Sequence, residues 1–258
     1  MSATTWRCLL TAALALHLTA RAAGPVVLAG EDDWAPYSAA ESPGSPQEQP
    51  PKGFSVTLIR AAFATQGITP QFVTVPFARC MLLARSREVA GCFNATVTDE
   101  NRDDYLWHQP PMFEEELSIF GRAGEAGPEL RLADLRGKRV AITNGYTYPT
   151  EFMRDPRIQR FTATSDANLL RMLVNGRVDY ILLNRTPGWM RIDAAPEFRG
   201  KVVRRGILSA DAFWVAFSKA HPDGPALAQA FGRGLAQMRR DGSYARLLDE
   251  FRKQVGYR

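Results

Sequence analysis

The chain has 258 residues and a formal net charge of +5, with 45% hydrophobic and 23% charged residues. This length is sufficient for one or two domains with hydrophobic cores of their own. The basic residues are spread along the sequence and form no concentrated stripe, so no nucleic-acid partner is expected.

The first 22 residues match a secretory signal peptide. Arg7 gives a short basic start, residues 9–20 are apolar, and small residues stand at positions 20 and 22, as a signal peptidase requires. We expect residues 1–22 to be removed and the mature protein to be periplasmic, beginning at Ala23. The apolar segment is shorter than the roughly 20 residues that a membrane-spanning helix needs, and no long apolar segment follows, so no membrane insertion is expected.

Strands and helices alternate along the first half of the mature sequence. Glu41–Lys52 contains four prolines and is predicted to be an exposed loop. The predicted elements around this loop are a strand at Val26–Gly30, a helix at Ser55–Gln66, a strand at Phe72–Val75, a helix at Phe77–Arg85 and a strand at Val89–Asn94.

The alternation continues in the second half. Val178–Leu183 is a continuous apolar segment, typical of a strand that is buried on both faces of a mostly parallel sheet. The pattern as a whole predicts an α/β architecture with helix-covered sheets. The other predicted elements are a strand at Arg139–Thr143 with a turn at Asn144 and Gly145, a helix at Ala167–Asn175 capped by Ser165, a strand at Phe213–Phe217, and helices at Pro225–Arg240 and Tyr244–Val255.

The motifs of common enzyme and metal sites are absent from the sequence. The mature chain has only two histidines, His108 and His221, and no His/Cys cluster with metal-ligand spacing. It has no nucleophile elbow, no phosphate-binding lysine loop, and no dinucleotide-binding glycine motif after a strand. We therefore expect no metal, no cofactor and no catalytic residues.

Two cysteines, Cys80 and Cys92, remain after removal of the signal peptide. The chain runs along a predicted helix and returns along a strand, which brings the two residues to similar heights, and the periplasm is oxidising. Packed helices and strands usually lie farther apart than the Cα separation of a disulfide, about 4.4–6.8 Å. A disulfide is expected, and two buried thiols are the alternative.

Seven segments, in this order, resemble the extracellular solute-binding proteins of the polar-amino-acid type, family 3. The resemblance runs from about Val26 to Val255, with Ser55 in place of a usual acidic residue and one extra residue between Thr98 and Arg102. The segments are EDDWAPY (31–37), KGFSV (52–56), PFARC (76–80), TDENR (98–102), DLRGKRV (134–140), GRVD (176–179) and DGSY (241–244).

This resemblance implies a two-lobed periplasmic-binding-protein (type II) fold. Each lobe is a helix-covered mixed sheet, and two hinge strands, at Glu116–Arg122 and Phe213–Phe217, join them. Lobe one is expected at 23–117 and 215–258, and lobe two at 121–211. The implied function is capture of a small polar or anionic solute, such as an amino acid or a related carboxylate, by a monomer that delivers it to an inner-membrane ABC permease.

The resemblance and the side-chain chemistry together predict a ligand site in the cleft. Arg102 carries a planar cationic fork that suits a carboxylate. Tyr146 and Thr147 follow a strand-to-helix turn, where exposed N–H groups attract anions. The predicted ligand-binding residues are Trp34, Tyr37, Phe54, Asn94, Thr96, Arg102, Tyr146, Thr147 and Asn184.

One departure from the family concerns the ligand's charge. After the strand 178–183, amino-acid binders of this family place an acidic residue for the ligand's α-ammonium, and this chain has Asn184. An amide cannot neutralise a cation, so the ligand is expected to lack that group, unless Glu114 or Asp211 replaces the missing acid.

Two other functions stay open at this stage. The same fold occurs in periplasmic dehydratases, which need a carboxylic acid in the site. Five acids lie near the first loop and the first hinge, and we interpret them as solvated loop charges: Asp32, Asp33, Glu114, Glu115 and Glu116. A sensory module that presents its closed form to a receptor is the second alternative.

Overall fold

The structure is a computed structural model that describes residues 25–40, 50–124 and 127–256. The predicted signal peptide, residues 1–22, lies outside the described residues, and so do residues 41–49 of the predicted proline-rich loop.

The described residues form eleven strands and seven α-helices. The strands are β1 (Val27–Gly30), β2 (Asp33–Trp34), β3 (Ser38–Ala39), β4 (Gln71–Thr74), β5 (Gly91–Ala95), β6 (Tyr105–Trp107), β7 (Phe113–Arg122), β8 (Arg139–Thr143), β9 (Gln159–Ala163), β10 (Tyr180–Asn184) and β11 (Val202–Ser218). The helices are α1 (Phe54–Ala64), α2 (Phe77–Arg85), α3 (Thr150–Arg154), α4 (Asp166–Val174), α5 (Arg185–Ala194), α6 (Gly224–Arg240) and α7 (Ser243–Val255).

Nine of the described strands divide into two groups that share the long strand β11, and β2 and β3 pair as a separate two-stranded sheet. In lobe one, β1 lies between β4 and β5 with parallel pairing, and the end of β11 pairs antiparallel with β5 and β6. In lobe two, β8 pairs in parallel with β9 and β10, and β7 joins β10 to β11 with antiparallel pairing. This confirms the two-lobed α/β fold, with the lobes connected through β7 and β11. The residue boundaries expected for the lobes and hinges stay predictions.

Each lobe has a core of its own. The lobe-one core is rich in phenylalanine, including Phe63, Phe93, Phe217 and Phe231, all fully buried. The main core of lobe two is aliphatic, with Leu169, Leu170 and Leu173 on the inward face of α4. The predicted cap of α4 is also confirmed, because the Ser165 side chain accepts a hydrogen bond from the backbone N–H of Asn168.

The expected disulfide is present. Cys80 and Cys92 are bonded, with their Cα atoms 5.4 Å apart, and both are fully buried. Four small side chains pack around the bond and let α2 approach the sheet closely: Ala29, Ala84, Ala95 and Ala216. These alanines explain why the usual helix-to-strand spacing does not prevent the bridge.

Removing the bridge is expected to destabilise the protein without abolishing the fold. Cys80→Ala/Cys92→Ala should lower the free energy of unfolding by about 2–4 kcal/mol, because the disulfide closes a short loop and so restricts the unfolded chain. Urea unfolding measures this, with wild type in reductant as the control. A loss below about 1 kcal/mol, or alkylation of both thiols in the unreduced wild type, would contradict it.

His108 is a buried structural residue in lobe one. Its Nε2 accepts a hydrogen bond from the Val215 backbone N–H at 3.0 Å, and its Nδ1 lies 2.8 Å from the Pro110 carbonyl oxygen. Both contacts are satisfied by the neutral ring with its proton on Nδ1. Burial lowers the pKa of His108 to about 3, from an ordinary value near 6.5.

His108 is therefore expected to make stability depend on pH. The unfolded chain binds a proton at this residue below pH 6.5, whereas the folded chain binds none until about pH 3, so acid favours unfolding in this interval. Between pH 7 and 5, wild type should lose about 2 kcal/mol more than His108→Gln, at about 1.4 kcal/mol per pH unit. Urea unfolding at several pH values measures the difference, and parallel curves for the two proteins would contradict it.

Candidate functional site

A small cavity lies between the lobes, at the ends of strands from both. Polar side chains reach it from the carboxyl ends of β1, β5, β8 and β10, where side chains of α/β folds commonly converge on ligands. The cavity encloses about 30 Å³, which holds two waters at most. The lobes are thus close together in this structure. The lining residues are Glu31, Trp34, Phe77, Asn94, Thr96, Leu117, Tyr146, Thr147, Tyr148, Asp166, Leu182, Leu183, Asn184, Asp211 and Phe213.

Polar contacts cross between the lobes beside the cavity. The Tyr146 hydroxyl, from the loop after β8, donates to Glu31, which follows β1. At the rim, Arg191 of α5 pairs with Asp33 at 2.9 Å, and Arg154 pairs with Glu100 at 3.1 Å. These contacts join groups that would separate if the lobes opened.

Gly145 lies against α2 of lobe one. Its φ is +81°, a left-handed conformation that favours glycine. A Cβ atom at this position would lie 2.9 Å from the Cβ of Ala78 on α2 of lobe one. The turn predicted at 144–145 therefore allows close contact between the lobes in the closed form, because a side chain at residue 145 would push α2 away.

The charges of the cavity lining are acidic. Glu31 and Asp166 are buried, and burial raises the pKa of both carboxyl groups above their usual range. Asp166 also accepts a hydrogen bond from the Thr143 hydroxyl at 2.5 Å, and burial raises the pKa of Asp211 as well. No lysine, arginine or histidine is among the described lining residues.

Asn94 places an amide donor in the same cavity. The residue has a φ of +65°, which is uncommon outside glycine, and its side chain is only 5% exposed. Its Oδ1 accepts from the Ser55 hydroxyl at 2.5 Å, whereas its buried Nδ2 has no hydrogen-bond partner within the part of the chain that the structure describes. A buried amide N–H without a partner destabilises a protein, so this group can gain from a ligand.

Six of the nine predicted ligand-binding residues line the cavity. They are Trp34, Asn94, Thr96, Tyr146, Thr147 and Asn184. Tyr37 and Phe54 lie instead in the aromatic core of lobe one, where the Tyr37 ring stacks on Phe113 at 4.6 Å. Trp34, which lines the cavity, stacks on Tyr37, and the ligand contacts predicted for Tyr37 and Phe54 stay predictions.

Arg102 lies outside the cavity lining. Its side chain is 56% exposed and forms an ion pair with Asp99 at 2.5 Å. It borders a neighbouring groove that includes Thr96, Thr147 and Asp211. The anchoring role that the sequence predicts for Arg102 stays a prediction, and the described lining contains no substitute cation.

Sequence reasoning missed two of the acids that matter most here, Glu31 and Asp166. Glu31 belongs to the first-loop motif and follows β1 directly. Because Asp32 and Asp33 come next, the sequence does not indicate which of the three acids enters the cavity. Asp166 begins α4, where an acid is expected for helix capping alone. Asp211, considered as a replacement for the missing acid at position 184, does line the cavity.

The interpretation of Glu115 as a solvated loop charge is wrong. Glu115 lies in β7 and is almost fully buried. Its carboxylate accepts hydrogen bonds from the Tyr37 hydroxyl, from the Thr186 N–H at 2.7 Å and from the Thr186 hydroxyl at 3.2 Å. It therefore connects the first loop of lobe one to the start of α5 in lobe two.

Over residues 25–40, 50–124 and 127–256, no helix is both long and apolar enough to cross a membrane. Within the same ranges, no group of three or more His, Cys, Asp or Glu side chains is arranged to hold a metal ion.

Comparison with known proteins gives the same fold. A histidine kinase sensor domain with similarity to periplasmic binding proteins has a TM-score of 0.74 at 24% identity, covering 88% of this chain and 96% of its own. An arginine-binding protein of T. maritima has a TM-score of 0.72 at 20% identity, covering 88% and 95%. The arginine-, lysine- and histidine-binding protein ArtJ of Geobacillus stearothermophilus has a TM-score of 0.68 at 20% identity, covering 88% and 94%. No curated protein matches this chain in sequence.

The family is decided by sequence, because structures this distant in identity show the fold alone. The profile of the bacterial extracellular solute-binding proteins, family 3, matches residues 26–254, most of this chain. This match covers both lobes and every element that lines the cavity. The chain therefore belongs to the bacterial extracellular solute-binding proteins, family 3.

Proposed function

We propose that this protein is a periplasmic solute-binding protein that captures a small polar solute between its two lobes and delivers it to an inner-membrane ABC permease. The observation that carries the proposal is the interlobe cavity, which both lobes line and which polar contacts surround. The proposal includes cleavage of residues 1–22 and action as a monomer.

The binding step follows from the geometry of the cavity. Because the cavity holds two waters at most when closed, a solute has to enter an open form and replace contacts such as the one between Tyr146 and Glu31. Closure then surrounds the solute with Trp34, Asn94, Thr96, Thr147 and Asn184, and desolvation strengthens each polar contact.

The relatives by fold support a nitrogen-containing solute. Two of the similar structures belong to proteins that bind arginine, and one of these also binds lysine and histidine. The acidic lining of this cavity agrees with a ligand that carries positive charge, rather than with the anionic group that the sequence predicts. A sensor domain shares the fold equally well, so the fold does not separate delivery from sensing.

A thermal-shift screen of the mature protein tests the binding step. The panel should contain amino acids, carboxylates, sugars, amines and quaternary ammonium compounds at millimolar concentration. A solute at 100 times its dissociation constant adds about 2.7 kcal/mol of stability, so at least one compound is expected to raise the melting temperature by several degrees. A panel in which every class leaves the melting temperature unchanged would contradict the proposal.

Uptake measurements test the delivery step. Spheroplasts of a bacterium that carries this gene should accumulate the radiolabelled solute only when the purified protein is added. Accumulation that is equal with and without the protein would favour a sensing role over delivery.

A further inference from the structure

The side chains that line the cavity indicate a narrower class of ligand than polar solutes in general. The lining combines three acidic side chains with no described basic one. Glu31 and Asp166 reach the same cavity from opposite lobes, at the start of the first loop and at the start of α4. Two buried carboxyl groups facing one small space favour a cation between them.

Aromatic rings form much of the remaining wall. Trp34 and Phe213 are neighbours with ring centroids 5.1 Å apart, and Phe77 and Tyr146 meet edge to face at 5.8 Å. The faces of such rings attract ammonium and guanidinium groups, more strongly when the site is desolvated. The aromatic rings and the two carboxyl groups thus favour the same kind of ligand group.

The Asn94 amide provides an independent observation. Asn94 is among the lining residues, its Oδ1 accepts from the Ser55 hydroxyl, and its buried Nδ2 has no hydrogen-bond partner among the described residues. A donor in this setting requires an acceptor oxygen on the ligand. The ligand therefore carries two different groups, a cation and an acceptor.

A ligand carboxylate finds no counter-charge in the lining. Arg102 is exposed and paired with Asp99. Arg191 lies near Asp166 outside the lining, and its Nη2 is bound to the carbonyl oxygen and the carboxylate of Asp33. An anionic group buried beside the Glu31 and Asp166 carboxyl groups would meet two further acids instead of a cationic partner.

We propose that the interlobe cavity selects a small organic cation that carries an uncharged oxygen acceptor and no carboxylate, with the cation between Glu31 and Asp166 and the acceptor at the Asn94 amide. This inference rests on the proposed solute-binding function and names its ligand class. Amino amides, amino alcohols and quaternary ammonium alcohols belong to this class, and free amino acids do not. The Ser55 hydroxyl acts as a positioning residue that orients the amide.

Matched pairs of probes test the proposal by calorimetry. The pairs are argininamide with arginine, lysinamide with lysine, and choline with glycine betaine, where the second member of each pair carries a carboxylate. In at least one pair the member without a carboxylate should bind at least tenfold more tightly. If the carboxylated compound binds as tightly as its partner or more tightly in every pair for which binding is measured, the proposed ligand class is wrong. The proposal that the protein binds a solute is supported by the same result. If neither these probes nor the wider screen gives a ligand, both proposals fail.

Charge-removing variants locate the cation. Glu31→Gln and Asp166→Asn keep side-chain size, and each should weaken the preferred probe by at least tenfold and reduce its preference over the carboxylated partner. Asp223→Asn, at an exposed position away from the cavity, is the matched control and should change neither value. A variant that impairs only the closure of the lobes would bind both members of a pair more weakly by the same factor. That result, with the preference unchanged, would contradict a role of these carboxyl groups in binding the cation.

Two arginine variants test the opposite hypothesis, that an arginine binds an anionic group of the ligand. Arg102→Ala and Arg191→Met should leave the preference for the carboxylate-free probe unchanged. The Nε of Arg191 is buried and has no hydrogen-bond partner among the described residues, so it is the first arginine group to test as a partner for an anion. Loss of binding in Arg102→Ala, or loss of the preference in Arg191→Met, with Glu31→Gln binding as wild type, would overturn the inference in favour of an anionic ligand.

Discussion

Glu115→Ala is expected to lower the free energy of unfolding by about 3–5 kcal/mol, one of the largest effects of any single substitution in this chain. The substitution deprives the Tyr37 hydroxyl and both polar groups of Thr186 of a buried acceptor. Each buried polar group left without its partner destabilises a protein by about 1–3 kcal/mol. Urea unfolding measures the change.

The neighbouring residue supplies the matched control. Glu114 is exposed on the same strand, and Glu114→Ala should change the free energy of unfolding by less than about 0.5 kcal/mol. Glu115→Gln keeps the side-chain volume, but its amide N–H group would face the donors of Tyr37 and Thr186. The loss of unfolding free energy should therefore lie between those of Glu114→Ala and Glu115→Ala. Equal effects of the alanine variants at 114 and 115 would contradict the assignment.

Gly145→Ala is expected to weaken binding of the solute found in the screen by at least tenfold. The new Cβ would lie 2.9 Å from the Cβ of Ala78 in the closed form, closer than such atoms normally approach. The open form lacks this clash, so the substitution shifts the equilibrium between the two forms toward the open one. Calorimetry measures the affinity.

The strain of the left-handed backbone needs its own control. Gly176 also has a positive φ, +70°, but a Cβ there meets nothing within 4 Å. Gly176→Ala should therefore destabilise the fold to a similar degree and leave the affinity unchanged. Ala78→Gly added to Gly145→Ala removes the clashing atom and should restore part of the affinity. If the two glycine variants bind the solute equally well, Gly145 has no role in closure.

The regular elements of this fold were predictable because their hydrophobic patterns are local. The strand predicted at 139–143 and the helix predicted at 77–85 are found with the same bounds. In contrast, α5 was missed, because Pro187 and Gly188 stand inside it and its apolar periodicity is weak. Its first turn is stabilised by the buried Glu115 carboxylate, a contact across 71 residues that no sequence window contains.

The candidate site was predictable in position but not in charge. Family motifs locate the cleft, and six of the nine predicted residues line it. The charge of the cavity depends on which side chains turn inward. Arg102 turns outward to Asp99, three residues away, while Asp166 lines the cavity from the first turn of α4. Residue type specifies neither orientation, so residue types alone pointed to an anionic ligand.

Calorimetric titration of a cavity-filling variant tests the central claim, solute capture between the lobes, most directly. Thr96→Trp places a large ring at the half-buried edge of the cavity, and Thr162→Trp adds the same ring at an exposed position on β9. We expect the solute from the screen to bind wild type and Thr162→Trp with equal affinity and one-to-one stoichiometry, and not to bind Thr96→Trp measurably, although circular dichroism shows all three folded. Binding to folded Thr96→Trp with the affinity of wild type would show that the solute binds elsewhere and would contradict the account.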